Sequence, residues 1–289
     1  MNRVVGVCFF LILGSQPTCA DDIAAIAPGA GRFIYSVRDA GASRAITVWT
    51  YRPKALTAAG SVLFVMHGVG REGERYRNEW RAYAERAQAL LLVPEFSTAN
   101  FPGGRNYAAP RPSFDVDDGT PLAFAAIEQI FDSVIKANEL SAGDYRLYGH
   151  SAGAQFVHRF IMFQPRSRVK TAVAANAGWY LMPDFDLKFP YGLAGSGVDR
   201  ARLKQALAKK LIVLLGDKDI DPNHPQLNHS APALRQGVNR FERGQTFFRA
   251  AEQRAESLGV HFNWELRTVA DVAHSNAGMA RAAAPLLLR

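Results

Sequence analysis

Residues 145–163 read YRLYGHSAGAQFVHRFIMF. A short apolar run ends in glycine, the pentapeptide Gly149-His150-Ser151-Ala152-Gly153 follows, and a stretch of helical periodicity comes next. A G-x-S-x-G sequence between a strand and a helix puts its serine on a strained turn, where larger residues in place of the glycines would clash. The helix that follows directs its unpaired N–H groups and partial positive charge towards the same point. Ser151 is therefore a candidate nucleophile, and a serine hydroxyl needs a base to take its proton.

Around this stretch lie further short runs that are apolar on both faces: 61–66 (SVLFVM), 89–94 (ALLLVP), 170–175 (KTAVAA) and 211–216 (LIVLLG). Helical segments separate them, which is the pattern of a buried parallel sheet. Residues 32–38 and 44–51 alternate as two antiparallel strands at a sheet edge, and 261–269 (HFNWELRTV) forms a last strand. Thr120 caps a helix with Pro121 at its first position, and Ile127, Ile130, Phe131, Val134 and Ile135 share one face. Phe247, Phe248, Ala251, Ala255 and Leu258 form a second apolar stripe that stops at Gly259. The expectation is one α/β domain over residues 21–289. Residues 177–208, rich in aromatics, prolines and glycines, are expected to form a small cap over a pocket.

Seven histidines are present. His150 lies inside the pentapeptide, His158 on the helix after it, and His261 at the start of the last strand, the wrong end for a site at strand C-termini. His274 follows that strand among Ala273, Ser275 and Asn276, and is the base this reading selects. His224 and His229, in a proline-rich loop, read as polar surface rather than metal ligands. A carboxylate must orient the base. After LIVLLG come Asp217, Asp219 and Asp221; Gly216-x-x-Asp selects Asp219, Asp221 competes from the same loop, and Asp217 reads as a turn or cap. The strand at 61–66 runs into His67-Gly68-Val69-Gly70, a turn whose amides can approach substrate. The oxyanion donors are then the Val69 and Ala152 N–H groups, with Gly70 as the alternative to Val69. Trp179 and Tyr180 are candidate substrate-binding residues, with core packing as the competing reading. Asp115, Asp117 and Asp118 lack the later glutamate of a calcium loop and read as a solvated turn.

Oxyanion turn, serine, aspartate and histidine thus arrive in that order, each just past a strand. In this the chain resembles the α/β-hydrolase family over nearly all of residues 21–289. Within that family it is similar to secreted esterases related to polyhydroxybutyrate depolymerases and feruloyl esterases. The resemblance implies an α/β-hydrolase fold, a mostly parallel central sheet with helices on both faces. It also implies hydrolysis of a small-molecule or polymeric carboxylic ester through an acyl-enzyme, with no metal and no organic cofactor. A peptidase or amidase using the same triad is the alternative, and an exported binding protein on this fold is a third class of answer.

The N-terminus adds a compartment. Arg3, the apolar run Val4–Gly14 and the polar tail SQPTCA read as a secretory signal peptide, residues 1–20, cleaved after Ala20. Lipid attachment at Cys19 is the competing reading. The apolar run is too short to span a bilayer, so no stable membrane anchor is expected and the chain is exported, to the periplasm or beyond. Both cysteines, Cys8 and Cys19, leave with that segment, which removes disulfides and thiolate chemistry from the mature chain. The net charge of +8 becomes +7 once Arg3 is removed, and the basic residues are scattered. A nucleic-acid partner, which needs them clustered on one face, is not expected.

Overall fold

Apolar runs without alternation need cover on both faces, and the strands from Val62 onward receive it. The computed structural model describes residues 23–39, 42–110 and 122–288. Its eight strands are β1 (Gly29–Asp39), β2 (Ala42–Arg52), β3 (Val62–Met66), β4 (Leu90–Glu95), β5 (Tyr145–His150), β6 (Val169–Ala175), β7 (Leu211–Gly216) and β8 (Trp264–Val269). They form one sheet in the order β1-β2-β4-β3-β5-β6-β7-β8. The strands from β3 to β8 run parallel, while β2 pairs antiparallel with β4 and β1 antiparallel with β2. The edge hairpin and the buried parallel strands are as the sequence pattern implies; β8 begins three residues later than expected.

Among the described residues, seven α-helices connect or follow the strands: α1 (Gly73–Ala87), α2 (Leu122–Ala137), α3 (Ala152–Phe163), α4 (Arg200–Ala208), α5 (Ala231–Leu234), α6 (Arg240–Ser257) and α7 (Asn276–Leu287). The two-residue period of a strand assigns the cover. Val62, Phe64 and Met66 face the core shared with α2, α3 and α6, whereas Leu63 and Val65 face Trp80 of α1 and Met279 of α7. Ile127, Ile130, Phe131 and Val134 are buried as one stripe of α2, and Phe247, Ala251 and Ala255 as one stripe of α6. Strand order reverses at β3, whose neighbours β4 and β5 lead away on opposite sides. Such a switch point opens a crevice at the strand C-termini. The signal-peptide reading, the Thr120-Pro121 helix start and the Asp115–Asp118 turn lie outside the described residues. Among those described, no helix is long and apolar enough to cross a membrane.

Three histidines are sealed into this fold beside the crevice. His67 accepts from the Phe96 N–H at Nε2 (3.1 Å), so Nδ1 carries the proton and donates to the Gly68 carbonyl (2.9 Å). His158 repeats the arrangement, accepting from the Leu181 N–H (3.0 Å) and donating to the Ala154 carbonyl (2.8 Å). His150 meets the Tyr76 hydroxyl (3.2 Å). Burial disfavours the imidazolium, lowering His67 to about 3 and holding His150 and His158 well below the ordinary value of 6.5.

These groups stay neutral in the folded chain but protonate below pH 6.5 in the unfolded one. Their contribution to stability is therefore complete above 6.5 and is lost as pH falls. Three such sites approach a slope of ~4 kcal/mol per pH unit once the unfolded histidines are fully protonated. Urea midpoints measured from pH 7.5 down to 4.5 should fall with rising steepness, and a flat profile would contradict the sealed neutral state.

Candidate active site

The turn after β5 is built around a close approach. Ser151 has φ 58° and ψ −116°, a conformation costly for a residue with a Cβ. It is held because α3 starts against the end of β3: a Cβ on Gly153 would lie 2.1 Å from the Met66 carbonyl oxygen. Only glycine permits that contact. The Ser151 N–H, in turn, donates to the Ala175 carbonyl on β6 (3.0 Å), so neighbouring strands clamp the turn on both sides.

His274, in the loop between β8 and α7, faces this serine, its Nε2 lying 3.0 Å from Ser151 Oγ. Nδ1 lies 2.7 Å from Oδ2 of Asp219, in the loop after β7. Asp219 is buried at 3% exposure. Asp221 is exposed, and its carboxylate accepts from the Asn223 N–H, away from the histidine. Asp217 accepts from the Asp271 N–H (2.8 Å) and ties the two loops together. Ser151, His274 and Asp219 thus form one hydrogen-bonded chain spanning three strand ends.

The loop carrying His274 is fixed from below. A Cβ on Gly216 would meet the Val272 carbonyl oxygen at 2.2 Å, so β7 and this loop pass each other only because residue 216 is glycine. Asn176, at the end of β6, accepts from the Gly216 N–H (2.8 Å) and donates to the Ala273 carbonyl (3.2 Å). It adopts φ 51°, a left-handed conformation that asparagine tolerates better than most residues.

Val69 and Ala152 flank Ser151, and neither backbone N–H has a hydrogen-bond acceptor among the described residues. Ala152 is the first residue of α3, where helix geometry leaves the N–H unpaired. The turn carrying Val69 is braced by buried His67 and by the Tyr107 hydroxyl, which donates to the His67 carbonyl (2.7 Å).

Two cavities meet at Ser151 and share Val69 and Gln226. One, of about 390 Å³, contains His274, Glu72, Arg75, Glu79 and Asn276. The other, of about 470 Å³, is lined by Trp179, Gln155, Arg105, Pro190 and Arg240, with no carboxylate side chain among its described residues. Trp179 lines this second cavity, half-buried between Tyr191 (4.5 Å between rings) and the Arg159 guanidinium (4.2 Å). Tyr180 does not: its ring is fully buried, stacked on Phe247 (4.5 Å) and against His158 (5.0 Å), so its assignment to the pocket is corrected to core packing. Of residues 177–199, Gly178, Trp179 and Pro190 line the second cavity, and 200–208 is helix α4.

Sequence reasoning missed three groups. Arg240 contacts Asp219 (3.3 Å) and is buried with it. His224 is not plain surface: its ring lies edge-on to His274, with centroids 5.4 Å apart. Buried Arg243 donates to the carbonyls of Gly178, Asn228 and Gly237, stapling the irregular segments to α6. Arginines on an otherwise ordinary amphipathic helix give no signal in the sequence that they point inward.

No protein-family model and no curated protein sequence matches the chain. Solved structures do. Poly(aspartic acid) hydrolase-1 from Sphingomonas sp. KT-1 is 42% identical, with a TM-score of 0.85 over 91% of this chain and 100% of that one. LpqC, a poly(3-hydroxybutyrate) depolymerase from Bordetella parapertussis, is 34% identical, with a TM-score of 0.81 over 89% of this chain and 90% of that one. An S-formylglutathione hydrolase from Agrobacterium tumefaciens, 15% identical with a TM-score of 0.56 over 91% and 95% of the two chains, shares the fold.

Asn176→Ala removes both polar contacts at once, leaves the buried Gly216 N–H unpaired and puts a less tolerant residue at positive φ. The expected loss is about 2–4 kcal/mol of unfolding free energy. Thermal or urea unfolding checks this, and a change below ~0.5 kcal/mol, within the range of a neutral surface substitution, would refute the bracing role.

Proposed function

This chain belongs to the α/β-hydrolase superfamily, to the group that holds poly(aspartic acid) hydrolase-1 and LpqC, and from that premise we propose that it is an exported serine esterase working through an acyl-enzyme. The observation that carries the proposal is the Ser151–His274–Asp219 chain at 3.0 and 2.7 Å. His274 Nε2 takes the Ser151 proton as Oγ attacks the ester carbonyl, and Asp219 holds the Nδ1–H and balances the imidazolium. Negative charge developing on the carbonyl oxygen meets the free N–H groups of Val69 and Ala152. The imidazolium then protonates the departing alkoxide, and a water molecule activated by the same histidine hydrolyses the acyl-enzyme.

The general acid must touch the leaving group. The alcohol side therefore lies in the cavity that contains His274, and the acyl side in the cavity lined by Trp179 and Arg105. Export belongs to the same proposal. It rests on the N-terminal pattern of residues 1–20, and the first residue of the secreted chain decides it.

A second reading, cleavage of an amide by the same residues, is favoured by the charge of the acyl side. Arg105 is exposed there, forms no ion pair with a described residue, and has no carboxylate beside it among the described residues of the cavity lining. The relative at 42% identity is a poly(aspartic acid) hydrolase, and poly(aspartic acid) is an amide-linked polymer with a carboxylate on every residue.

Ser151→Ala should abolish both p-nitrophenyl ester turnover and covalent labelling by a fluorophosphonate, with the fold intact. Asp219→Asn should lose on the order of 10³- to 10⁴-fold in kcat, and Asp221→Asn far less. The reverse ranking would move the acid to Asp221, and full activity in Ser151→Ala would end the proposal.

Matched p-nitrophenyl esters and p-nitroanilides, each with butyryl and succinyl acyl groups, separate the two readings. The esterase reading expects the ester to exceed the anilide by well over 100-fold in kcat/KM. Comparable rates, together with a succinyl preference that Arg105→Ala removes, would favour the amidase.

A further inference from the structure

Asp219 has two carboxylate oxygens, and the proposed mechanism uses one. Oδ2 accepts from His274; Oδ1 faces the guanidinium of Arg240, with Nη1 at 3.3 Å. Both side chains are almost fully buried, at 3% and 1% exposure. A carboxylate taken out of water is stable only when its remaining lone pairs and its charge are met. No other cation forms an ion pair with Asp219 among the described residues.

The guanidinium has a second contact. Nη2 lies 3.2 Å from Nδ1 of His224, which also accepts from the Gln226 N–H (3.1 Å). With two donors on Nδ1, the His224 proton sits on Nε2 and the ring is neutral. Burial and the nearby Arg240 charge both push its pKa below the ordinary histidine value. That neutral ring stands edge-on to His274 at 5.4 Å, while the His150 ring lies 4.6 Å from His274 at a tilt of 36°. The base is therefore confined by Asp219 and by two neutral imidazoles, and one guanidinium fixes two of those three neighbours.

Position on the backbone makes this a rigid device. Arg240 is the first residue of α6, which Asn239 caps by accepting from the Glu242 N–H. The next residue, Phe241, donates its N–H to the Asp219 carbonyl (3.3 Å). The start of one helix thus holds the loop of the acid by main chain and side chain together.

We infer that Arg240 is a positioning residue for catalysis, fixing the second oxygen of Asp219 and bracing His224 against His274. This rests on the triad reading above. Arg240 acts through Asp219, whose shorter contact, at 2.7 Å, remains the one to His274. Arginine suits the task because its planar fork reaches two acceptors at once, whereas a lysine ammonium is a single point charge.

A double-mutant cycle tests it, with kcat and KM measured on a p-nitrophenyl ester and folding monitored by circular dichroism and thermal unfolding. Arg240→Met should lower kcat on the order of 100-fold with KM within about 3-fold, and Arg240→Lys should recover part of the loss. In the Asp219→Asn background, Arg240→Met should cost less than about 3-fold more, because its target is already disabled. If Arg240→Met fails to fold, Arg240→Lys and Arg240→Gln carry the same cycle. Guanidinium chloride at low millimolar concentration should raise the rate of Arg240→Ala but not of Arg240→Lys. An undiminished Arg240 effect in the Asp219→Asn background, or a loss confined to KM, overturns the inference while Ser151→Ala still tests the triad independently. Full activity in Ser151→Ala would instead remove the reading on which it rests.

Discussion

The contact between Gly153 and the Met66 carbonyl is the constraint on which the rest of the site depends. It lets α3 begin directly over the end of β3. That in turn holds Ser151 at positive φ and brings Ala152, whose amide is unpaired among the described residues, beside the turn that carries Val69. Candidate nucleophile and both candidate oxyanion donors come from a single backbone approach. The strain at Ser151 persists because neighbouring strands over-determine the turn, through the Ala175 carbonyl on one side and β3 on the other.

Most of the remaining order in the crevice comes from polar groups sealed beneath it. Loops cannot bury a backbone carbonyl or amide without a partner, and here side chains supply those partners. His67 bridges Gly68 and Phe96, His158 bridges Ala154 and Leu181, and Asn176 bridges Gly216 and Ala273. Arg243 satisfies three carbonyls from separate segments. Fully satisfied buried networks of this kind rigidify a site. They also tie its integrity to pH, since the histidines must remain neutral.

The two cavities differ in charge as well as in shape. Beside His274, Arg75 pairs with both Glu72 and Glu79, so this side of Ser151 offers a polar wall with one carboxylate charge in excess. Across Ser151, Trp179 provides an apolar wall, itself backed by buried Arg159, and Arg105 has no carboxylate beside it among the described lining residues. The described lining is thus apolar and cationic on one side of Ser151 and polar with an excess carboxylate on the other.

Much of this was legible in the sequence, and the reason is local. Apolar runs flanked by turns mark buried strands whatever they pair with. Gly149-x-Ser151-x-Gly153 encodes a strained turn within five residues, and His274 is recognisable by its place after the last strand. The acid is different: Gly216-x-x-Asp selected Asp219, but only the packing of α6 over the loop buries that carboxylate and leaves Asp221 in solvent. Tyr180 and Trp179 are adjacent aromatics whose opposite fates follow from which way the chain turns after β6, and no pattern of residue types fixes that direction. Arg240, Arg243 and His224 are likewise indistinguishable from surface residues until the fold brings together segments as far as 65 residues apart. Local backbone chemistry is written in short windows of sequence. The burial of a charge beside a distant partner is decided only when the whole chain has packed.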